Sequence, residues 1–228
     1  GSVVADGISG TSLTNWGDSV TGRLDIAAVP AAGHVFYQWT GDIADDQKLS
    51  PTITVDHSQA RTITANFGGI IYADAELGTD DENHGHAPGA DAYKSLTNAV
   101  AHAVDGDTIY LADGTYKQSS ELIIGTDINV IGNNAFPTNV ILTRAGLNVM
   151  RIVSVNGGAT LSGLTIQDGW GNADIEGAGA YIGNGTITNC VIRNNNCSGM
   201  STKGGGVQVN GANALLIDSE IYNNKHDN

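Results

Sequence analysis

The residues best equipped for chemistry fall into two short stretches. The first is an acidic loop holding Asp74, Glu76, Asp80, Asp81, Glu82 and Asn83. Hard oxygen donors gathered in a flexible loop suit Ca²⁺, which takes six to eight such ligands. Asp74, Asp80, Asp81 and Asn83 are the candidate ligands, although their spacing is not that of an EF-hand. A solvated acidic turn is the other reading, and His84 and His86 read as polar filler beside it. The second stretch is DGWGNADIEG, residues 168–177. Trp170 between glycines is expected to be partly exposed, with Asp168, Asp174 and Glu176 nearby. An apolar ring beside carboxylates that accept hydroxyl hydrogens can stack on a sugar face. The ring could equally fold back over a neighbouring segment.

Other reaction types find less support. There is no GxSxG elbow, HExxH helix or GxxxxGK[ST] loop. Elimination on a uronate needs a base and cations that neutralise the carboxylate. Lys94, Lys117, Arg144, Arg151, Arg193, Lys203 and Lys225 supply the cations, but they form no cluster along the chain. Hydrolysis by paired carboxylates would use Asp168 and Asp218. These occupy different places in their repeat units, the eighth and the third, and so would not share a face.

Positioning these residues requires a scaffold, and the sequence shows it as a repeat. LSGLTIQDG (161–169), ITNCVIRNN (187–195) and LIDSEIYNN (216–224) carry apolar residues at their first and sixth places. These are Leu161 and Ile166, Ile187 and Ile192, Leu216 and Ile221. The glycine stretches GAGAYI (177–182) and GGGVQV (204–209) repeat as well. A period in the twenties built from short strands and turns marks a solenoid. Short β-branched strands with Asn and Gly corners, and no helical return, predict a parallel β-helix. Asn194, Asn195, Asn223 and Asn224 fall at equivalent corners, as stacked ladders or as ordinary turn residues. DTIYLADGTY (107–116), INVIGNN (128–134), VILTRA (140–145) and MRIVSV (150–155) read as further strands. Before them, residues 92–104 predict a helix capped by Asp91, with Leu96, Ala99, Val100 and Ala103 on one face. Such a helix would plug the open end of the first coil.

The run from YADAELGTDDENHG through AYKSLTNAVAHAVDGDTIYLADGTY to ATLSGLTIQDG resembles the opening of pectin-lyase-fold right-handed β-helix proteins. The later GGGVQV and IYNN elements are similar to polymorphic outer-membrane protein repeats, with Ile where that family's box has Phe. Residues 1–68 differ in character. GRLDIAAVPAAGHVFYQWTGD and PTITVDHSQARTITANF resemble the divergent internalin-type B repeat of bacterial surface proteins, a small β-rich, grasp-like module. Phe36 and Trp39 are expected in its core, and Gly68-Gly69 reads as a short hinge into a second domain at 69–228. The predicted fold is all-β: the small module, then a right-handed parallel β-helix with an N-terminal capping helix.

Composition narrows the partners. The 228 residues are 40% hydrophobic, enough for a real core, with 31 glycines and 4 prolines. Ten Lys and Arg against 24 Asp and Glu give a net charge of −14, which repels phosphate backbones and anionic membranes. No nucleic acid partner is therefore expected, and no apolar run is long enough for membrane insertion. Two cysteines, Cys190 and Cys197, exclude a disulfide scaffold. They form either one bridge across a short loop or two separate thiols.

Together the resemblances imply a secreted or cell-surface bacterial protein. The expected role is an adhesin or stalk segment contacting a polysaccharide or another surface partner. A polysaccharide lyase or hydrolase and a calcium-stabilised carbohydrate-binding module are the alternatives. The final unit, IYNNKHDN, is in register with the preceding corner and has no capping segment after it. It reads as a piece of a longer solenoid, or as an end open to association.

Overall fold

A computed structural model describes residues 1–5, 8–10, 23–56, 61–172, 175–198 and 204–227. The chain divides into two compact units, Gly1–Ile70 and Ile71–Asn228.

The first unit contains β1 (Ser2–Ala5), β2 (Ile8–Gly10), β3 (Arg23–Val29), β4 (His34–Gly41), β5 (Thr52–Asp56) and most of β6 (Ile63–Ala73). An antiparallel sheet has the order β2-β1-β3-β5, and β4 pairs antiparallel with β6. Alternation puts Leu24, Ile26 and Ala28 of β3 inside with Val3 and Ile53. Trp39 is fully buried among them, and its indole N–H donates to the Ser50 carbonyl at 2.7 Å. Phe36 packs against it at 5.5 Å between ring centroids, and Phe67 meets Phe36 edge-on. Both predicted core aromatics are therefore structural. Gly68 and Gly69 lie inside β6, opposite Val35 and His34.

The second unit is a right-handed parallel β-solenoid of about four turns. Its first coil has β7 (Thr108–Leu111), β8 (Gly114–Gln118) and β9 (Leu122–Ile124); its second has β10 (Asn129–Ile131), β11 (Val140–Arg144) and β12 (Val153–Val155). The third coil adds a short fourth strand, giving β13 (Thr160–Ser162), β14 (Thr165–Gln167), β15 (Trp170–Gly171) and β16 (Ala180–Ile182). β17 (Thr186–Thr188), β18 (Val191–Arg193), β19 (Asn196–Ser198) and β20 (Val207–Val209) follow the same plan. β21 (Leu215–Ile217), β22 (Glu220–Tyr222) and β23 (Lys225–Asp227) begin the next coil.

Equivalent strands pair in parallel from coil to coil, in the register expected from the repeat. Leu161, Ile187 and Leu216 are aligned, as are Ile166, Ile192 and Ile221. Because every coil turns at the same places, inward side chains form continuous apolar columns. Ile109, Val130, Leu161 and Ile187 make one column, and Tyr116, Leu142, Ile166 and Ile192 another, all at most 2% exposed.

Two corners are fixed by left-handed backbone. Asp168, Asn194 and Asn223 have φ of 61°, 57° and 53°, and Asn189 and Asp218 have 48° and 46°. Asn and Asp are the non-glycine residues that tolerate this region best. Next to the first of these corners, Asn195 is completely buried. Its Oδ1 accepts from the Gly169 N–H at 2.8 Å, while its Nδ2 donates to the Ile166 carbonyl and to Asn224 Oδ1. Asn224 repeats the move one coil on, donating to the Ile192 carbonyl at 2.8 Å. The corner asparagines thus form a ladder, and glycine makes room for it: a Cβ on Gly179 would stand 2.6 Å from Asn195 Nδ2.

The capping helix is shorter than its sequence suggests. Helix α1 spans Leu96–His102, and its cap is Ser95, whose hydroxyl accepts from the Asn98 N–H at 3.1 Å. Asp91 belongs instead to a preceding 3₁₀ turn. Ala92 and Tyr93 are extended because Tyr93 bridges to Ala73, with N–H···O bonds to Tyr72 and Asp74. Leu96 and Ala99 are buried against the first coil, as the predicted face requires.

Truncating Asn195 to Ala removes the acceptor of the buried Gly169 N–H and a donor to the Ile166 carbonyl, while Asn224 Oδ1 keeps the Asn195 N–H. We expect a loss of about 3 kcal/mol in urea denaturation. At its exposed neighbour, Asn194→Gly is expected to be neutral within about 0.5 kcal/mol, whereas Asn194→Val should cost about 1–2 kcal/mol because of its positive φ.

Candidate functional site

The acidic loop uses its carboxylates to hold its own backbone. Asp74 is only 7% exposed, and its Oδ1 accepts from the N–H groups of Glu76 and Leu77 at 3.0 and 2.9 Å. Asp80 Oδ1 accepts from the N–H groups of Lys94 and Ser95, both at 2.9 Å, fastening the loop to the start of α1. Asp81 accepts from the Asn83 N–H and pairs with His84 Nδ1 at 2.5 Å. The His84 contact, more than any other, holds the Asp81 carboxyl below its ordinary range. Of the four candidate calcium ligands, Asp74, Asp80 and Asp81 each accept local hydrogen bonds through one carboxylate oxygen, and Asn83 donates its backbone N–H to Asp81. No group of three or more His, Cys, Asp or Glu side chains is placed to hold a metal ion among the described residues.

The Trp170 loop is built on a corner of the third coil. Asp168 sits at the left-handed turn, its Oδ2 accepting from Thr143 Oγ1 at 3.2 Å and from Gln167 Nε2 at 3.0 Å. Trp170 follows in β15, where its N–H and carbonyl pair with Met150 at 3.0 and 2.7 Å. The backbone is thus clamped while the ring remains 38% exposed, with the Arg144 guanidinium 5.8 Å from its centroid. Before the corner, on β14, β18 and β22, the strand register generates an outward row, in which Gln167 aligns with Arg193 and Arg193 with Tyr222. Arg193 Nε donates to Gln167 Oε1 and its Nη1 to the Tyr222 hydroxyl, both at 3.1 Å. Asp168 thus joins the Gln167–Arg193–Tyr222 row, which runs across three coils, while the Trp170 ring lies by Arg144. Glu176 stands at the other end of the loop, where its backbone carbonyl is held by Arg151. Asp174 lies outside the described residues.

Arg151 binds the coils together. Its Nη1 meets Glu121 Oε1 at 2.8 Å and Ser154 Oγ at 3.2 Å. Its Nε and Nη2 donate to the Glu176 and Gly177 carbonyls, and its guanidinium lies 4.9 Å from the centre of the Tyr181 ring. Ser154 also hydrogen-bonds Glu121. One guanidinium thus joins residues of the first three coils. Asp168 and Asp218 stand at two different corners, as the register argument requires.

Both thiols are free and buried, so no bridge joins them. Cys190 takes the place of Leu164 in the apolar interior, and burial pushes its pKa up to about 11. Burial also raises that of Cys197, whose Sγ donates to the Ile175 carbonyl at 3.2 Å.

The repeat identified the corner asparagines, because they recur at fixed places, while Trp170 stood out as a ring between glycines with Asp168 nearby. It missed Gln167 and Tyr222, whose signal was their shared seventh place in the nine-residue unit with Arg193. Gln118 was missed too. It is 1% exposed in the first coil, where it accepts from Thr97 Oγ1 at 2.6 Å.

Melting curves in EDTA and in Ca²⁺ test the calcium reading of the loop: a rise of several degrees with Ca²⁺ is expected if Asp74, Asp80, Asp81 and Asn83 hold the ion, and superimposed curves would refute it. The thiols give a second test. Between the unfolded value of 9.0 and the folded value of about 11, the unfolded chain releases the Cys190 proton and the folded chain keeps it. This contribution to stability is complete below pH 9 and is lost as pH rises towards 11. Native protein at pH 8 should resist thiol reagents that label both cysteines after denaturation.

No helix among the described residues is long and apolar enough to cross a membrane. No curated protein and no solved structure matches the chain. Residues 2–70 match the family model described as the divergent InlB B-repeat domain, the region that forms the small β module.

Proposed function

We propose that this chain is a segment of an extracellular bacterial surface protein, an adhesin or stalk whose solenoid presents a glycan-contacting face. The B-repeat match supports the surface setting, and the resemblance to pectin-lyase-fold and outer-membrane repeats supports the same setting for the solenoid. The observation that carries the glycan reading is Trp170. Its backbone is paired with Met150 through both its N–H and its carbonyl, yet its ring is left exposed with the Arg144 guanidinium beside it, one corner away from the Gln167–Arg193–Tyr222 row. An aromatic ring beside a guanidinium, with amide and carboxylate groups on the adjoining strand, offers sugars a stacking face and hydrogen-bonding groups near it. Because these groups stand on strands of a stacked core, little ordering accompanies binding.

The contacts of Arg151 and Arg193 favour binding over turnover. Arg151 is enclosed by Glu121, Ser154 and two carbonyls, and Arg193 is held between Gln167 and Tyr222.

Affinity electrophoresis through gels carrying a panel of acidic and neutral polysaccharides tests the reading. At least one polysaccharide should retard the protein, and Trp170→Ala should weaken retardation at least five-fold without lowering the melting temperature by more than a few degrees. Unsaturated uronate absorbance at 235 nm or new reducing ends would instead make the chain an enzyme. Equal retardation of the Trp170→Ala variant would remove this face from the account.

A further inference from the structure

We propose that Asn184 is a self-modification site, where deamidation of the side chain converts one corner of the solenoid to isoaspartate. The chain contains three Asn-Gly pairs, Asn156–Gly157, Asn184–Gly185 and Asn210–Gly211. All three fall at one corner, because Val155, Ile182 and Val209 are aligned in register a residue or two before them. Glycine after asparagine favours this chemistry, since no Cβ hinders attack by the glycine nitrogen.

Packing dictates the glycines. The Asn184 corner is the tightest, with only residues 183–185 between β16 and β17, against 156–159 and 210–214 in the neighbouring coils. A Cβ on Gly185 would stand 2.7 Å from Val155 Cγ1, and one on Gly183 would collide with Asn156 Oδ1. Close stacking of the coils therefore leaves glycine as the residue after Asn184.

Asn184 differs from the other two asparagines in its lack of restraint. The Asn156 carbonyl accepts from the Ala159 N–H at 3.0 Å, which closes its turn. Asn210 Nδ2 donates to the Tyr181 hydroxyl at 3.3 Å, and the Gly211 carbonyl accepts from the Ala214 N–H at 3.2 Å. Asn184 is exposed, and its side chain makes no hydrogen bond among the described residues. The Gly185 N–H makes none there either, although Gly185 is buried and buried N–H groups without a partner are rare. A free side-chain amide thus adjoins a free backbone N–H, the two groups that the reaction joins.

The reaction needs only hydroxide and water. Hydroxide takes the Gly185 amide proton, the nitrogen bonds to Asn184 Cγ, and the Cγ–Nδ2 bond breaks to release ammonia. Water then opens the five-membered imide at either carbonyl. One opening gives aspartate. The other gives isoaspartate, in which the main chain runs through the side chain and gains one atom. Both products add a negative charge to a chain already at −14. β16 and β17 are each paired in parallel on both sides, so neither strand can slide to absorb the extra atom. The corner bulges instead, and the bonds beside it weaken: Thr186 N–H to the Ala159 carbonyl and Leu215 N–H to the Gly185 carbonyl.

Peptide mapping by mass spectrometry, after incubation of the full chain in warm, mildly alkaline buffer, tests the proposal. Deamidation is expected at Asn184 at least five-fold faster than at Asn156 or Asn210, whereas in urea the three should react at similar rates. Hydrogen exchange of the modified chain should show lost protection at Thr186 and Leu215. Freshly prepared Asn184→Asp, which adds the charge without lengthening the main chain, should keep that protection, and Asn184→Gln should stay unmodified over the same period. Equal rates at the three sites in the folded chain, or a folded Asn184 that outlasts the other two, would overturn the proposal. Protection lost equally in Asn184→Asp would overturn the main-chain argument and assign the effect to charge.

Discussion

Parallel backbone pairing between successive coils is the constraint on which the rest of the second unit depends. A coil can pair with both neighbours only if it turns where they turn. Each corner must therefore recur at the same place and take up the same dihedrals. Asp168, Asn194 and Asn223 meet that demand with positive φ, and the buried Asn195–Asn224 ladder ties each turn to the next. Gly179 and Gly206 follow from the ladder, since a side chain at either would occupy the space of the asparagine amide. Once the corners are aligned, Leu161 must lie over Ile187 and Ile166 over Ile192. The apolar columns are thus a result of the backbone register as much as a cause of the fold.

How far the sequence revealed this varied with distance from the regular coils. From residue 161 onward the nine-residue units displayed the register directly, down to the two corners occupied by Asp168 and Asp218. The first two coils were less legible because long irregular segments separate β10, β11 and β12, and β9 carries only three residues. Helix α1 shows how long-range pairing can override a local signal. Ala92 and Tyr93 belong to a helical pattern in sequence, but bridging to Ala73 draws them into extended backbone and moves the cap to Ser95. Gly68 and Gly69 are drawn into β6 in the same way, since pairing with β4 outweighs the freedom of two glycines.

Sites were legible in identity and less so in role. Trp170 stood out as an aromatic ring among glycines, and the structure leaves it exposed. The acidic loop drew attention by charge density, whereas its carboxylates act as local caps on backbone N–H groups, a use that composition does not reveal. Arg151 shows the reverse. In sequence it is one scattered cation, but coil stacking surrounds it with a carboxylate, a hydroxyl and two carbonyls. Scarce cations in an acidic chain are recruited first by buried geometry, and only those left at a surface or in a cavity can serve a ligand.

The direction of the inter-coil hydrogen bonds has a mechanical consequence. In a solenoid they lie along the axis, so axial tension stretches the bonds of each interface together while successive interfaces bear the same load one after another. Such a stack yields at its weakest interface. The Arg151 cluster reaches across the first three coils and the asparagine ladder ties the later ones. Side-chain cross-links of this kind distribute a pull over several rungs, so that the stack resists as a rod before it peels as a ribbon.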